Sequence, residues 1–223
     1  MGPRLEMILR STLIAAAALL AACGPMNEGN LANRLIEERI APLVGIAPKP
    51  EAPKPAAPNI ATAAPGEVML VKIIARNAVA PMQRLSENGS TVTWISPGQV
   101  SMTFDDGILI ATRGLNEDLM GADISGVRAA LAAGGGTATR THSFLDSEDQ
   151  IQLRDMTCTI TPEGADKVAD LSGTRDALKF TENCRGDRFG LANTYWLDQA
   201  GGKIIQTRQA VSPTVGFIQT NPL

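Results

Sequence analysis

Three cysteines, one histidine, a scatter of carboxylates and a few aromatic and basic side chains are the residues of this chain whose types could carry chemistry. Cys23 closes the stretch Leu20-Ala21-Ala22-Cys23, which ends the apolar run Leu13 to Ala22, with Arg4 and Arg10 upstream. Positive charge, an apolar run and small residues before a cut make the three-part pattern of a secretory leader. Leucine three places before a cysteine, with two alanines between, further specifies a bacterial lipobox. The chemistry expected at Cys23 is attachment: a thioether-linked diacylglyceryl group and an amide-linked acyl chain such as palmitate. That exceeds the two signals stable anchoring requires. The alternative is an ordinary signal peptide cut near Ala21-Ala22, leaving a free thiol. The run is about half of the ~20 residues a spanning helix needs, so no permanent membrane span is expected. Glu6 is unusual in a positive leader, and Met7 is a second candidate start beside Met1.

Cys158 and Cys184 remain. In an oxidising compartment an isolated pair is most simply a disulfide, stabilising the fold by roughly 3–4 kcal/mol on the chain-entropy model. A redox site would show a close C-x-x-C pair, and a metal site would show ligands near His142; neither pattern is present. No metal or cofactor is expected. Nucleophilic hydrolysis lacks a G-x-S-x-G elbow, and there is no phosphate loop or dinucleotide fingerprint.

Glycan cleavage uses two carboxylates about 5–5.5 Å apart for retention or 6.5–9.5 Å for inversion. Asp105, Asp106, Glu117, Asp118 and Asp198 are available, but Asp105-Asp106-Gly107 and Asp198 fall where hairpin turns use aspartate. Asp118 reads also as a cap or as a partner for Arg113. The chain is therefore expected not to be an enzyme, with a periplasmic glycan-modifying enzyme as the alternative. For a binding role, Trp94, Tyr195 and Trp196 offer flat faces for sugar rings, and Arg113, Arg140 and Arg208 could pair with acidic groups. Alternation sends Tyr195 and Trp196 to opposite faces of a strand, so at least one belongs to the core.

The elements that must position these residues follow from pattern. Residues 1–22 form the leader, and 23–66 hold the lipidated N-terminus, a short amphipathic helix (Leu31, Leu35, Ile36, Ile40) and a tether. Pro42, Pro48, Pro50, Pro53, Pro55, Pro58 and Pro65 exclude regular helix or sheet in that tether and extend it by about 3.1 Å per residue. The β-rich domain is 67–223. The formal charge of −3 gives no basic field for nucleic acid, and aromatics at 4% with 21 glycines suit short strands and turns. Strands are expected at Val68–Ile74, Ala80–Ser86, Thr91–Ile95, Val100–Phe104, Ile108–Arg113, Thr137–Phe144, Gln150–Ile160, Ala177–Cys184, Asn193–Asp198 and Lys203–Arg208. Asp123 could cap a helix whose Ile124, Val127 and Leu131 share a face, stopped by Gly134-Gly135-Gly136. Pro162-Glu163-Gly164 reads as a polar excursion. Gly107-x-Leu109-Ile110-x-Thr112-Arg113 matches Gly202-x-Ile204-Ile205-x-Thr207-Arg208, which suggests two similar hairpins in one sheet.

The ordered series Trp94; Gly107 through Ala111-Thr112-Arg113-Gly114-Leu115 and Asp118-Leu119; Arg140 and His142 before Phe144-Leu145-Asp146; Asn193-x-Tyr195-Trp196-Leu197-Asp198; and Thr207-Arg208-Gln209 resembles the YjbF-type lipoproteins. The last pattern is shared with the related group 4 capsule lipoproteins, although the usual aromatic after Gln209 is Ala210 here. The resemblance covers most of Glu67 to Gly216. It implies a mainly β, antiparallel barrel-like single domain with one or two short helices on an outer-membrane anchor, facing the periplasm. It also implies a part in making or exporting extracellular polysaccharide or capsule, with polymer or export proteins as partners and no established catalytic residues. Gly24 after Cys23, in place of an inner-membrane-retaining aspartate, favours the outer membrane as well. A purely structural envelope lipoprotein is the remaining alternative.

Overall fold

Period-two alternation of apolar and polar residues builds almost the whole domain from strands, because each strand can bury one face and solvate the other. The computed structural model describes residues 59, 64, 66–170, 173–187 and 189–222. The expected leader, Cys23, the amphipathic helix and nearly all of the tether lie outside them. In chain order the elements are β1 (Val68–Ile73), β2 (Ala78–Asn88), β3 (Thr91–Ile95), β4 (Ser101–Asp105), β5 (Ile108–Arg113), β6 (Gly121–Asp123), α1 (Ser125–Ala132), β7 (Gly136–Leu145), β8 (Ile151–Asp170), β9 (Gly173–Arg185), β10 (Gly190–Asp198), β11 (Ile204–Ser212) and β12 (Gly216–Pro222).

The twelve strands form one sheet in the order β5-β4-β3-β2-β1-β12-β11-β10-β9-β8-β7-β6. Neighbours are antiparallel throughout. The segment leading into β6 bridges the two ends: Thr112 N of β5 donates to Leu119 O at 2.9 Å, and Met120 N donates to Ser143 O of β7 at 2.8 Å. The sheet is thus a nearly closed barrel, which hides most of the edge that an open sheet would expose. α1 lies against β7, and Gly126 permits the approach, since a Cβ there would sit 3.0 Å from Thr139 O.

Two apolar clusters fill the interior. One gathers Met82, Trp94, Met102, Phe104, Phe144 and Ile218; the other packs Val127 and Leu131 of α1 on Met156, Ile160, Phe180 and Tyr195. A register shift between Thr103 and Phe104 is a bulge of the kind that re-aims neighbouring side chains. Here adjacent Ile108 and Leu109 are both buried, one in each cluster. The Asp106-Gly107 turn before them has φ of 48° and 85°, as a two-residue hairpin of that hand requires.

The structure differs from the sequence expectations in three places. β8 runs through Pro162-Glu163-Gly164, absorbing the proline in a register shift between Pro162 and Gly164, because a proline in a ladder needs a bulge. β8 is exposed on both faces from 161 to 167, so that stretch carries no alternation to read; beyond the Ala177↔Asp198 pair, the β8–β9 arm has no further strand alongside it. β6 and β12 were not expected. β12 pairs with the preceding β11 as a hairpin and with β1 from the far end of the domain, a second pairing set by distant sequence. The helix begins one residue later than an Asp123 cap implies, although Asp123 Oδ1 does accept from Ser125 N at 2.9 Å.

Cys158 and Cys184 are directly opposite on β8 and β9 and form a disulfide, with Cα atoms 3.9 Å apart. Replacing both by alanine should lower stability by roughly 3 kcal/mol. Urea unfolding of the two proteins measures this, and an unchanged midpoint would contradict it.

Candidate functional site

Charged and polar residues at inward positions of four strands meet in the middle of the barrel. Arg140 and His142 come from β7, Glu182 from β9, Asn193 and Tyr195 from β10, and Gln209 from β11; all six are at most 1% exposed. Such groups are costly to bury unless they bond to one another. They do so. Arg140 Nη1 donates to both Glu182 oxygens at 3.2 and 3.0 Å, and Tyr195 Oη and Asn193 Nδ2 donate to Glu182 Oε2 at 2.6 and 2.7 Å. Arg140 Nε donates to His142 Nε2 at 2.8 Å.

The network also reaches β5. Arg140 Nη2 donates to Leu109 O at 3.2 Å, Leu109 N donates to Gln209 Oε1 at 2.9 Å, and Gln209 Nε2 donates to Gly107 O at 3.0 Å. β5 is an end strand, paired with β4 on one edge (Leu109 opposite Phe104); on its other edge, side chains of β7 and β11 satisfy these main-chain groups. The starts of the two matched heptads come together: a Cβ on Gly107 would stand 2.9 Å from Ile204 Cβ.

Burial opposes the charged form of Arg140, but the Glu182 carboxylate outweighs it and raises the guanidinium pKa above its ordinary value. Burial, then the Arg140 and Arg154 charges, lowers His142 from 6.5 to about 3. The ring is neutral, and since Nε2 accepts from Arg140, Nδ1 carries the proton; Nδ1 has no partner among the described residues. Burial, then Glu182, pushes the Tyr195 hydroxyl above its ordinary range. Donor atoms of Cys158, Glu182 and Cys184 converge within 4.8 Å, but the sulfurs are bonded to each other, which removes the thiolates a soft metal ion would need.

The structure separates the other candidates. Trp94 is 8% exposed in the core, and Tyr195 is inside. Trp196 is on the outer face, where its Nε1 donates to Asp166 Oδ2 at 2.8 Å. Lys179 Nζ lies 6.0 Å from its ring, and Arg208, exposed on β11, sits 4.9 Å over Phe217. Arg113 donates to the carbonyls of Thr112, Leu119 and Met120, and Asp118 accepts from Thr112 Oγ1, Gly114 N and Leu115 N, so both hold the loop that closes the barrel. Of the other carboxylates, Asp105 and Asp106 pair with Arg128, Asp198 accepts from Ala200 N and Glu117 from Thr214 N. Sequence reasoning missed Glu182, Asn193 as a network member and Gln209. Asn193 and Gln209 stood in the motifs of the family resemblance without a role, and the signal at Glu182 was a polar residue at an inward position of an alternating strand.

A second feature is a cavity of about 670 Å³ at one end of the barrel. The Gly89-Ser90, Asp106-Gly107 and Gly201-Gly202 turns converge there with the end of α1, over a floor that includes Met69, Trp94, Phe104 and Leu197.

Arg140→Met strands Glu182 without its counter-charge and should lower stability by about 3–5 kcal/mol. The double variant Arg140→Met/Glu182→Leu should recover part of the loss, read by urea unfolding. His142 supplies a pH test. Between pH 6.5 and about 3 the unfolded chain binds a proton on this ring that the native protein refuses. Stability therefore falls as pH drops through that window, by up to about 1.4 kcal/mol per pH unit for this one group. His142→Gln keeps an acceptor for Arg140 and should flatten the decline in melting temperature by that contribution.

The family described as Group 4 capsule polysaccharide lipoprotein gfcB, YjbF matches residues 43–223. No curated protein matches the chain. The fold is similar to the hypothetical lipoprotein YmcC from Escherichia coli (K12), at 20% identity and TM-score 0.60, covering 69% of this chain and 81% of that one. Weaker likenesses are to a solved protein from Parabacteroides distasonis ATCC 8503, at 10% identity and TM-score 0.32 over 69% of this chain and 91% of that one, and to a protein with a YmcC-like fold from Bacteroides fragilis NCTC 9343, at 9% identity and TM-score 0.24 over 70% and 93%. With 43–223 spanning the entire barrel, this chain belongs to the YjbF family of group 4 capsule polysaccharide lipoproteins.

Proposed function

We propose that the protein is an outer-membrane lipoprotein, anchored through Cys23 with its barrel in the periplasm, that assists production or export of exopolysaccharide or capsule by binding the polymer. The observation that carries a binding reading is the row on the outer face of β9, β10 and β11. Trp196 pairs with Lys179 on one side and Gln206 on the other, and Thr194 pairs with Arg208. Trp196 is half-buried against Val168, Ala177 and Ile205, with its Nε1 held by Asp166. The part of the ring left exposed, beside two cations and amide groups, has the composition that stacks on sugar rings and bonds their acidic substituents. A polymer can lie along such a surface without entering the barrel. Arg140 and Tyr195, also candidates from sequence, serve this reading by holding β7 and β10 in place.

Deleting the gene should reduce surface polysaccharide under producing conditions, and export equal to that of the parent would sink the proposal. At the molecular level, Trp196→Ala should weaken binding of isolated polymer by the loss of one stacking contact, about 0.5–1.5 kcal/mol. Arg208→Ala should weaken acidic polymer alone. Affinity electrophoresis in gels containing the polymer measures both.

A further inference from the structure

We infer that the cavity at the end of the barrel is a binding site for the apolar chain of an anionic amphiphile, a fatty acyl or isoprenoid tail carrying a phosphate or carboxylate head. This inference rests on the cavity alone and stands apart from polymer binding on the outer face. At about 670 Å³ the space is within the range of roughly 300–1,000 Å³ that small-ligand pockets occupy. Its deep wall is made by Met69, Trp94, Phe104, Ile108, Leu131 and Leu197, each buried. These six side chains give a surface for methylenes; Thr207 and Thr220 also line the cavity, but their hydroxyls bond each other at 2.7 Å, and Gln206 Oε1 accepts from Asn221. Burying a methylene stabilises a complex by about 0.8 kcal/mol, so a tail of modest length binds without polar contacts.

The mouth supplies the head group's partner. Arg84 is paired with Glu87 at 2.6 Å, and Arg128 with Asp105 and Asp106. Lys203 on the same rim is exposed and has no ion-pair partner among the described residues. It is the cation left over for an anion at the entrance. The mouth is also kept open by glycine. Nothing lies within 4 Å of a Cβ built on Gly66, Gly89, Gly201 or Gly202. At Gly201 the backbone is outside the left-handed region, so a side chain there meets neither strain nor a neighbour. The open entrance can therefore be obstructed without disturbing the fold.

Trp94 is a reporter in the wall, and Trp196 is outside the cavity. The chain carrying Cys23→Ser, which removes its own acyl groups, and Trp196→Phe, which leaves Trp94 as the one tryptophan, is titrated with dibrominated stearate below its micelle threshold. The expected result is saturable quenching of Trp94, reversed by dodecyl phosphate. Gly201→Phe should weaken binding about tenfold with an unchanged melting temperature, and Lys203→Glu should weaken dodecyl phosphate while leaving dodecyl maltoside unaffected. Farnesyl phosphate, dodecanoate and dodecyl phosphate compared side by side assign the tail and the head. Quenching that never saturates, or that is equal in the Gly201→Phe protein, overturns the site. Displacement of the probe by soluble polymer fragments as well as by dodecyl phosphate overturns the apolar ligand in favour of sugar. Equal binding of dodecyl maltoside and dodecyl phosphate overturns the anionic head. None of these outcomes bears on binding of polymer at Trp196.

Discussion

The ion pair between Arg140 and Glu182 is the constraint around which the barrel is arranged. Both side chains are essentially without solvent contact, so each needs the other, and each still has bonding capacity to fill. Glu182 fills it with Tyr195 and Asn193; Arg140 fills it with His142 and the carbonyl of Leu109. A buried pair of this kind is weak support for net stability, since apolar replacements of similar volume often do as well. What it adds here is register. A slip of one residue on β7 or β9 would turn a charge out to solvent and leave its partner alone inside, and a slip on β10 would take two hydrogen-bond donors away from Glu182.

The same network accounts for how a sheet of twelve strands closes. β5 meets the segment leading into β6 through Thr112 and Leu119; at Leu109 it is paired with Phe104 of β4 on one edge and has no strand on the other. Arg140 and Gln209 satisfy that edge from across the interior. α1 covers the adjoining surface of β7 with Val127 and Leu131. Closure by side chains and a short helix leaves one end less filled than a continuous ladder would, and the cavity bounded by three hairpin turns is found there.

Tyr195 and Trp196 show how one strand divides the labour. The tyrosine turns inward and its hydroxyl completes the shell around Glu182. The tryptophan turns outward and packs with Val168, Ala177 and Ile205 beneath the β8–β9 arm. The inward residue thus joins the core network and the outward one packs against the β8–β9 arm, because a strand presents its two faces independently.

Alternation by itself was enough to mark Thr91–Ile95, Thr137–Phe144 and Asn193–Asp198 as strands, because those segments bury one face and solvate the other. The spacing of Ile124, Val127 and Leu131 marked the helix for the same reason. Two cysteines in an exported chain were enough to suggest a disulfide. The β8–β9 arm was not legible: it has no core beneath most of its length and is held by main-chain bonds that every residue offers alike. Nor was β12, whose second partner is β1 at the opposite end of the domain. Glu182 looked like an ordinary polar residue, and His142 and Gln209 stood in motifs that gave them no role, since nothing local shows that a charge forty-two residues away will meet Arg140 in a dry interior. Only the tertiary structure decided that these groups are partners, because burial and partnership are set by the curl of the sheet and not by neighbours along the chain.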